Sequence, residues 1–242
     1  MDEHVEVNSL FSIYIQKDKL PDLLPAAIQQ HVSTFKQHCS HIGRNHFIIG
    51  NDEIREIIKN HFDTSLLTAY DKISPHAYKA DIGRYSVLYA YGGIYADLAM
   101  IFVNPVEPLQ PHERACFCQG IAKANISNGF IYSRPGDPLL ASALDMIIDR
   151  ISNDYYGPNP VSITGPRLLG DALSRMPHEH YKLYTVRALT RDLPHLNMAV
   201  LDASGRIICL RNKLKTGVHE LGLTSSDYRV LWQDRKIYNW ES

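Results

Sequence analysis

Hydrophobic residues in the first quarter of the chain alternate between strand-like runs and helical spacing. The run from Leu10 to Gln16, LFSIYIQ, is rich in β-forming residues and predicts a first strand, and residues 46–50 predict a second. Apolar side chains recur at helical intervals in residues 21–39 and again in residues 52–62. This alternation predicts βαβ units, so we expect an α/β fold with a mostly parallel central sheet flanked by helices.

The second half of the chain continues the pattern. Residues 115–119 and 129–133 predict two further strands, and residues 138–151 predict an amphipathic helix. The pattern over residues 181–210 returns to strands. Because no internal repeat or change of composition marks a boundary, we expect residues 1–242 to form one domain.

The segment from residue 75 to residue 97 combines helical spacing with charged side chains. Four residues fall on one face of the predicted helix: Tyr78, Asp81, Tyr85 and Leu88. Arg84 follows Asp81 by three positions and therefore projects beside it. Gly92-Gly93 is suited to end the helix, because glycine tolerates the left-handed conformation found there. The short strand that follows would bring Asp97 to an edge of the sheet.

Two carboxylates and a guanidinium in one place suit a ligand that contains both sugar and phosphate. A carboxylate accepts hydrogen bonds from hydroxyls or holds a divalent cation, and arginine offers a planar fork of donors to oxyanions. The same residues have a plainer interpretation. Asp81 and Arg84 could form an ordinary surface ion pair worth less than about 1 kcal/mol, and the two glycines an ordinary turn.

Two later segments carry further candidate binding groups. Thr164-Gly165-Pro166 is typical of a helix start, since threonine can cap and proline is favoured in the first turn. Free amides there would suit a phosphate or a sugar hydroxyl, although a purely structural helix start carries equal weight. Asn128 ends a predicted polar loop over residues 124–128, which we expect to meet the ligand.

Composition narrows the class of protein. A content of 45% hydrophobic and 21% charged residues is typical of a soluble globular protein, and a formal net charge of -1 predicts no nucleic-acid partner. No apolar run is long enough for a membrane-spanning helix, and the acidic start at residues 1–4 lacks the basic region of a signal peptide. Four irregularly spaced cysteines fit reduced thiols, so we expect a cytoplasmic protein.

The run KADIGRYSVLYAYGGIYAD, residues 79–97, resembles the signature of the DXD sugar-binding region glycosyltransferases of family 32. It is also similar to the catalytic segment of the large clostridial glucosylating toxins. Residues 128–131 with 133–138, and the Thr-Gly-Pro at 164–166, agree with the same family. Together these segments cover about residues 75 to 175 in the right order.

The resemblance implies a GT-A-type nucleotide-sugar-binding fold and a retaining hexosyltransferase. Its partners would be a nucleotide-sugar donor, with UDP-sugars favoured over GDP-mannose, and a glycan or lipid-linked acceptor hydroxyl. The implied setting is bacterial surface polysaccharide or oligosaccharide synthesis, with peripheral association at the inner membrane as an open alternative. Catalytic roles fall on Asp81 and Asp97. The candidate donor-binding residues are Asp81, Arg84, Tyr95, Asp97, Asn128, Thr164 and Gly165.

One departure from the family concerns the metal. The family's motif is Asp-x-Asp, and its second aspartate holds a divalent cation, usually manganese, whereas this chain reads Asp97-Leu98-Ala99. The expectation we favour is that Asp97, His219 and the donor diphosphate still hold Mn²⁺ or Mg²⁺, since one side-chain ligand plus phosphate oxygens and waters suffices for a hard cation. Alternatively, Arg84 and the C-terminal Lys213 and Lys215 replace the metal. A rival function is a non-catalytic sugar-nucleotide or glycan-binding protein that has lost its metal aspartate.

Overall fold

A computed structural model describes residues 8–15, 23–189, 196–212 and 228–239. Within these ranges the helices are α1 (Ala26–Cys39), α2 (Asn51–His61), α3 (Thr64–Lys72), α4 (His76–Tyr91), α5 (Pro138–Ser152), α6 (Pro166–Leu173) and α7 (Tyr228–Gln233). The strands are β1 (Ser9–Ile13), β2 (His46–Ile49), β3 (Gly93–Ala96), β4 (Met100–Phe102), β5 (Ala115–Gln119), β6 (Ile126–Ser133), β7 (Tyr181–Ala188), β8 (Leu196–Leu201) and β9 (Ile207–Asn212).

All the described strands belong to one sheet, in the order β2-β1-β3-β6-β5-β7-β8-β9-β4. The pairings of β1 with β2, β1 with β3, and β5 with β7 are parallel. The other five are antiparallel. The predicted α/β class with flanking helices is therefore confirmed. The predicted mostly parallel sheet is a mixed one, with three parallel and five antiparallel pairings.

The sheet must curl, because β3 and β4 are joined by residues 97–99 alone. These strands are third and ninth in the sheet order, so a flat sheet would hold them about 29 Å apart. The chain from Ala96 to Met100 spans at most about 15 Å. The far end of the sheet therefore returns to the end of β3, which places β4, β9 and β8 beside Asp97.

The pattern did not predict α3, β4 or α7, and several boundaries differ from the predicted ones. Helix α3 follows α2 after a short break, and β4 has three residues whose pairing partner, β9, lies more than a hundred positions away. Strand β6 begins at Ile126, three residues before the predicted strand, because residues 126 and 127 pair with β5. Asn128 consequently lies inside a strand and not in a loop.

The core occupies both faces of the sheet. Phe11 packs into the larger cluster beneath α2 to α6, while its neighbour Leu10 packs into a second cluster with Phe35 of α1. Gly93 has a φ of 101°, and a Cβ there would lie 2.0 Å from the Ser9 carbonyl oxygen, so this close approach of β3 to β1 requires glycine. All four cysteines are buried and free, in agreement with the expected thiols. None of the described helices has the length and apolar character to cross a membrane.

A buried serine and two histidines connect α1, β1 and β2 to the segment that carries Asp97. Ser12 Oγ donates to the Ala96 carbonyl at 2.8 Å and lies 2.9 Å from His31 Nε2 and 3.1 Å from His46 Nε2. His31 Nδ1 donates to the Met100 carbonyl at 2.6 Å. The cluster therefore holds the backbone on both sides of residues 97–99. Burial lowers the pKa of His31 to about 4 and that of His46 to about 3.

We predict that this cluster makes the fold sensitive to mild acid. Unfolded chain binds a proton at the ordinary histidine pKa near 6.5, whereas folded His31 does so only near 4. The stability is complete above pH 6.5 and is lost as the pH falls towards 4, with a loss on the order of 2 kcal/mol from His31 by pH 5. Urea denaturation at pH values between 7.5 and 5 measures this loss in the free energy of unfolding. His31→Asn should flatten the dependence, whereas the exposed His178→Asn should not; equal slopes for all three proteins would contradict the prediction.

Candidate active site

One face of α4 packs against the segment that precedes α6. The Tyr78 hydroxyl donates to the Pro160 carbonyl at 2.7 Å, and the Tyr85 hydroxyl donates to the Thr164 carbonyl at 3.0 Å. Between them, Asp81 Oδ2 accepts a hydrogen bond from Thr164 Oγ1 at 2.8 Å. Since helical spacing places these three α4 residues on one face, the periodicity of the helix determines which carboxylate meets the segment.

The guanidinium of Arg84 links α4 to the ends of β3 and β6. Its Nη1 donates to Asp97 Oδ1 at 3.0 Å and to the Asn128 carbonyl at 2.7 Å. Its Nη2 lies 3.4 Å from Asp81 Oδ1, and its Cζ lies 4.5 Å from the centroid of the Tyr95 ring. The Arg84 and Asp81 side chains are only 8% and 11% exposed. The alternative interpretation of these two residues as a surface ion pair is therefore wrong.

The Asn128-Gly129 pair on β6 positions both carboxylates. Asn128 Nδ2 donates to Asp81 Oδ1 at 2.7 Å and to the Tyr85 hydroxyl oxygen at 3.0 Å. The Gly129 carbonyl accepts from the Asp97 amide at 2.8 Å. A Cβ at Gly129 would lie 2.8 Å from Asp97 Oδ2, so a side chain there would displace the carboxylate. Asparagine thus fixes one acid, and glycine leaves room for the other.

Asp97 presents one oxygen to an open pocket. Its Oδ1 accepts from Arg84 and, at 2.7 Å, from the Tyr95 hydroxyl. Its Oδ2 has no hydrogen-bond partner among the described residues, and the side chain is 27% exposed. The pocket has a volume of about 230 Å³ and is bounded by α4, β6, β8, β9, the start of α6 and α7. An exposed carboxylate oxygen held in place from behind can accept hydrogen bonds from ligand hydroxyls.

Burial governs the electrostatics beneath the pocket. It raises the pKa of the Asp81 carboxyl, and the charge of Arg84 and the hydrogen bond from Thr164 oppose that rise. Burial also acts against the charge of Arg84, yet Tyr95, Asp97 and Asp81 together hold its pKa above the ordinary value. The guanidinium is therefore a permanent cation, and it stabilises negative charge on both neighbouring acids.

Residues 25–116, which include Asp81, Arg84 and Asp97, match the family described as the glycosyltransferase sugar-binding region containing a DXD motif. This match covers less than half of the chain, and it shows that the segment is similar to that family. The resemblance of residues 79–97 to this family is therefore confirmed.

Known relatives carry the same assignment. An uncharacterised glycosyltransferase of Acanthamoeba polyphaga mimivirus is 33% identical over 127 residues, which are 51% of this chain and 49% of the viral protein. Inositol phosphoceramide mannosyltransferase 3 of Schizosaccharomyces pombe is 29% identical over 126 residues, 51% of this chain and 34% of the yeast protein. The match thus spans about half the length of the first relative and a third of the second.

The fold agrees with this family. The solved structure of PaToxG glycosyltransferase superimposes with a TM-score of 0.54 at 16% identity, over 96% of this chain and 85% of that one. At this level of identity the likeness concerns the fold. The predicted GT-A-type architecture is confirmed.

Residues 25–116 and the segments after them bring most of the candidate residues together. Tyr95 and Thr164 lie buried behind the two acids, Asn128 lines the pocket, and the side chains of all three bond to those acids. Gly165 lines the pocket. The predicted helix start is present, with Pro166 in the first turn of α6, but Gly165 occupies the cap position and the Thr164 hydroxyl bonds to Asp81 instead. Three candidates for the metal or its replacement, His219, Lys213 and Lys215, lie outside the described residues.

The second segment that agrees with the family has a structural role at its C-terminal end. Asp137 Oδ1 accepts from the amides of Leu139 and Leu140 and so caps α5. Arg134 Nε donates to the Glu113 carbonyl at 2.8 Å. Neither residue lines the pocket. Residues 133–138 therefore turn the chain from β6 into α5.

Several residues that line the pocket were not candidate site residues from the sequence, among them Met198, Arg211 and Tyr228. Tyr228 begins α7, and its ring centroid lies 5.5 Å from that of Tyr78. Arg211 and Met198 arrive on β9 and β8 because the sheet curls back. No local pattern marks them, since only pairing between distant strands brings them here.

The side chains of the pocket do not fit the family's divalent cation. Asp97 is the accessible carboxylate, its Oδ1 is engaged by Arg84, and Ala99 supplies no ligand. Asp81 is saturated by its own partners. Arg211 adds a second guanidinium that would repel a cation. The described residues contain no group of three histidine, cysteine or acidic side chains that could hold a metal.

We predict that Arg84→Met destabilises the protein by roughly 3–5 kcal/mol, because Asp81 and Asp97 would lose the cation that compensates their buried charge. Chemical denaturation with urea measures the change. The matched control is Arg167→Met, which breaks an ion pair with Asp171 whose arginine is 44% exposed and should cost less than about 1 kcal/mol. A loss of similar size for both variants would show that Arg84 does not organise the site.

Proposed function

We propose that this chain transfers a hexose from a nucleotide diphosphate sugar to an acceptor hydroxyl, with retention of configuration at the anomeric carbon. One observation carries the proposal. At the end of β3, within the segment that is similar to the family, Asp97 has one oxygen fixed by Arg84 and Tyr95 and the other directed to an open pocket. The family match and the GT-A-type fold support sugar transfer as the reaction.

In this proposal Asp97 is the acid that contacts the donor. Its Oδ2 accepts hydrogen bonds from hydroxyls of the sugar or ribose, which orients the anomeric carbon towards the acceptor. Asp81 has a positioning role and does not contact the donor, because both its oxygens accept hydrogen bonds from protein groups. It holds Asn128 and Thr164, and with Arg84 it keeps Asp97 in one orientation. Gly165 leaves backbone accessible at the pocket wall.

The reaction is a substitution at the anomeric carbon. The bond from that carbon to the diphosphate oxygen breaks, and the electron pair leaves with the diphosphate. The bond to the acceptor oxygen forms, and the acceptor proton passes to the departing diphosphate. Because positive charge develops on the sugar and negative charge on the leaving group, fixed charges placed before the reaction lower its barrier.

The donor and acceptor remain part of the proposal. We favour a UDP-sugar and keep GDP-mannose as the alternative. The name of the yeast relative specifies mannosyl transfer to inositol phosphoceramide, which supports keeping a mannosyl donor and a lipid-linked acceptor, and with the latter a peripheral place at a membrane. Synthesis of bacterial surface polysaccharide or oligosaccharide stays the setting that we propose by analogy.

The test is donor turnover across a panel of UDP- and GDP-sugars, with and without chelator, measured as release of the free nucleoside diphosphate. We expect at least one donor to be hydrolysed or transferred. Clear donor binding with no turnover under any metal would identify a sugar-nucleotide-binding protein instead. Absence of both binding and turnover across the panel would contradict the proposed function altogether.

We predict that Asp97→Asn reduces turnover of the preferred donor at least about 100-fold, because a neutral amide loses the charged acceptor oriented at the sugar. The melting temperature should stay within a few degrees of wild type, since the amide keeps the shape of the carboxylate. The control is Asp145→Asn, an exposed aspartate on α5. Turnover of Asp97→Asn at the level of Asp145→Asn would exclude the assigned role.

A further inference from the structure

Arg211 lies at the centre of a row of side chains that crosses three strands. In the register of the sheet it pairs with Met100 of β4 on one side and with Met198 of β8 on the other. Directly paired residues point to the same face, and all three of these side chains line the pocket that contains Asp97. The Arg211 side chain on β9 therefore lies between the side chains of Met100 and Met198 on the neighbouring strands.

The Arg211 guanidinium, which is partly buried, lacks the partners that the buried Arg84 of the same pocket has. Its Nε is buried and has no hydrogen-bond acceptor, and no ion pair or side-chain hydrogen bond joins it to any residue of the described ranges. Arg84, in contrast, bonds to two acids and two carbonyls. A buried donor without an acceptor is costly, so it points to an acceptor that arrives with a ligand.

The charges around the pocket favour an anionic ligand beside Arg211. Asp81, Arg84 and Asp97 together carry one net negative charge, which would repel a diphosphate. The positive charge of Arg211 balances that negative charge. Arg84 is already paired with two acids, whereas Arg211 forms no ion pair with any described residue.

Arg211 also lies next to the altered motif. The amide of the following residue, Asn212, donates to the Ala99 carbonyl at 2.7 Å, and the Met100 amide donates to the Asp97 carbonyl at 2.9 Å. The first bond fastens β9 to the segment where the family's second aspartate is replaced, and the second closes a turn within that segment. Arg211 therefore provides a fixed positive charge next to Ala99, the position at which the family has a metal-binding aspartate.

We propose that Arg211 binds the diphosphate of the nucleotide-sugar donor. It donates hydrogen bonds to the diphosphate oxygens and stabilises the negative charge that they gain when the anomeric bond breaks, which is the role that a divalent cation has in the family. This inference rests on the proposed function for its reaction step. The binding of diphosphate can be tested without turnover.

The experiment is calorimetric titration of UDP and GDP, with uridine and guanosine as partners that lack phosphate, in the presence of chelator. Wild-type protein should bind one of the two diphosphates. Arg211→Gln should weaken that binding about 10- to 100-fold, the effect of losing a charge-assisted hydrogen bond, and leave the nucleoside unaffected. The matched control is Arg187→Gln, an exposed arginine on β7, which should bind as wild type does.

Arg211→Lys keeps the charge and guards against a failure of the glutamine variant to fold. It should bind the diphosphate more tightly than Arg211→Gln and more weakly than wild type, since a point charge replaces a planar fork. Equal diphosphate affinity of wild type and the folded variants would overturn the proposal, as would wild-type binding that disappears with chelator. If diphosphate binding depends on Arg211 but no donor is turned over, the site assignment stands and the glycosyltransfer reaction fails.

Discussion

The site depends on one buried cation. The Arg84 guanidinium reaches an acid on its own helix, an acid at the end of β3 and a carbonyl on β6, and it is almost inaccessible to water. A charge in such a place is tolerable only if it is paired and hydrogen-bonded. The need to satisfy it brings α4, β3 and β6 to fixed positions, and it orients the single exposed oxygen of Asp97. The contacts that neutralise the buried charge of Arg84 are therefore the same contacts that position Asp97 for a ligand.

The residues of the resemblance divide into those that face the pocket and those that support it. Asp97 reaches the pocket, whereas the side chains of Asn128, Thr164 and Tyr95 donate hydrogen bonds to the two acids. The helix start, for which a structural and a binding interpretation were open, illustrates this division. Thr164 has a structural bond, and that bond is made to a carboxylate of the site.

The local part of this arrangement could be predicted from the sequence. Helical periodicity places Asp81 and Arg84 side by side, and a glycine pair followed by β-forming residues brings Asp97 to the same end of the sheet. Short-range spacing also predicts the α/β class, although not the antiparallel pairings that make the sheet mixed. The contribution of β8 and β9 could not be predicted, because Arg211 meets Met100 across a pairing of more than a hundred residues in sequence. The burial of Asp81 and Arg84 could not be predicted either, since spacing alone cannot distinguish a surface ion pair from a buried one.

The three-residue connection between β3 and β4 gives the curvature of the whole sheet a direct influence on the pocket. The exposed acid belongs to the beginning of the strand order and the unpaired arginine to its end, so their separation depends on how tightly every strand between them twists. A substitution in the distant β5–β7 contact could widen or narrow the gap without touching either residue. Ligand size and strand geometry are therefore linked across the molecule, and selection on one must act on the other.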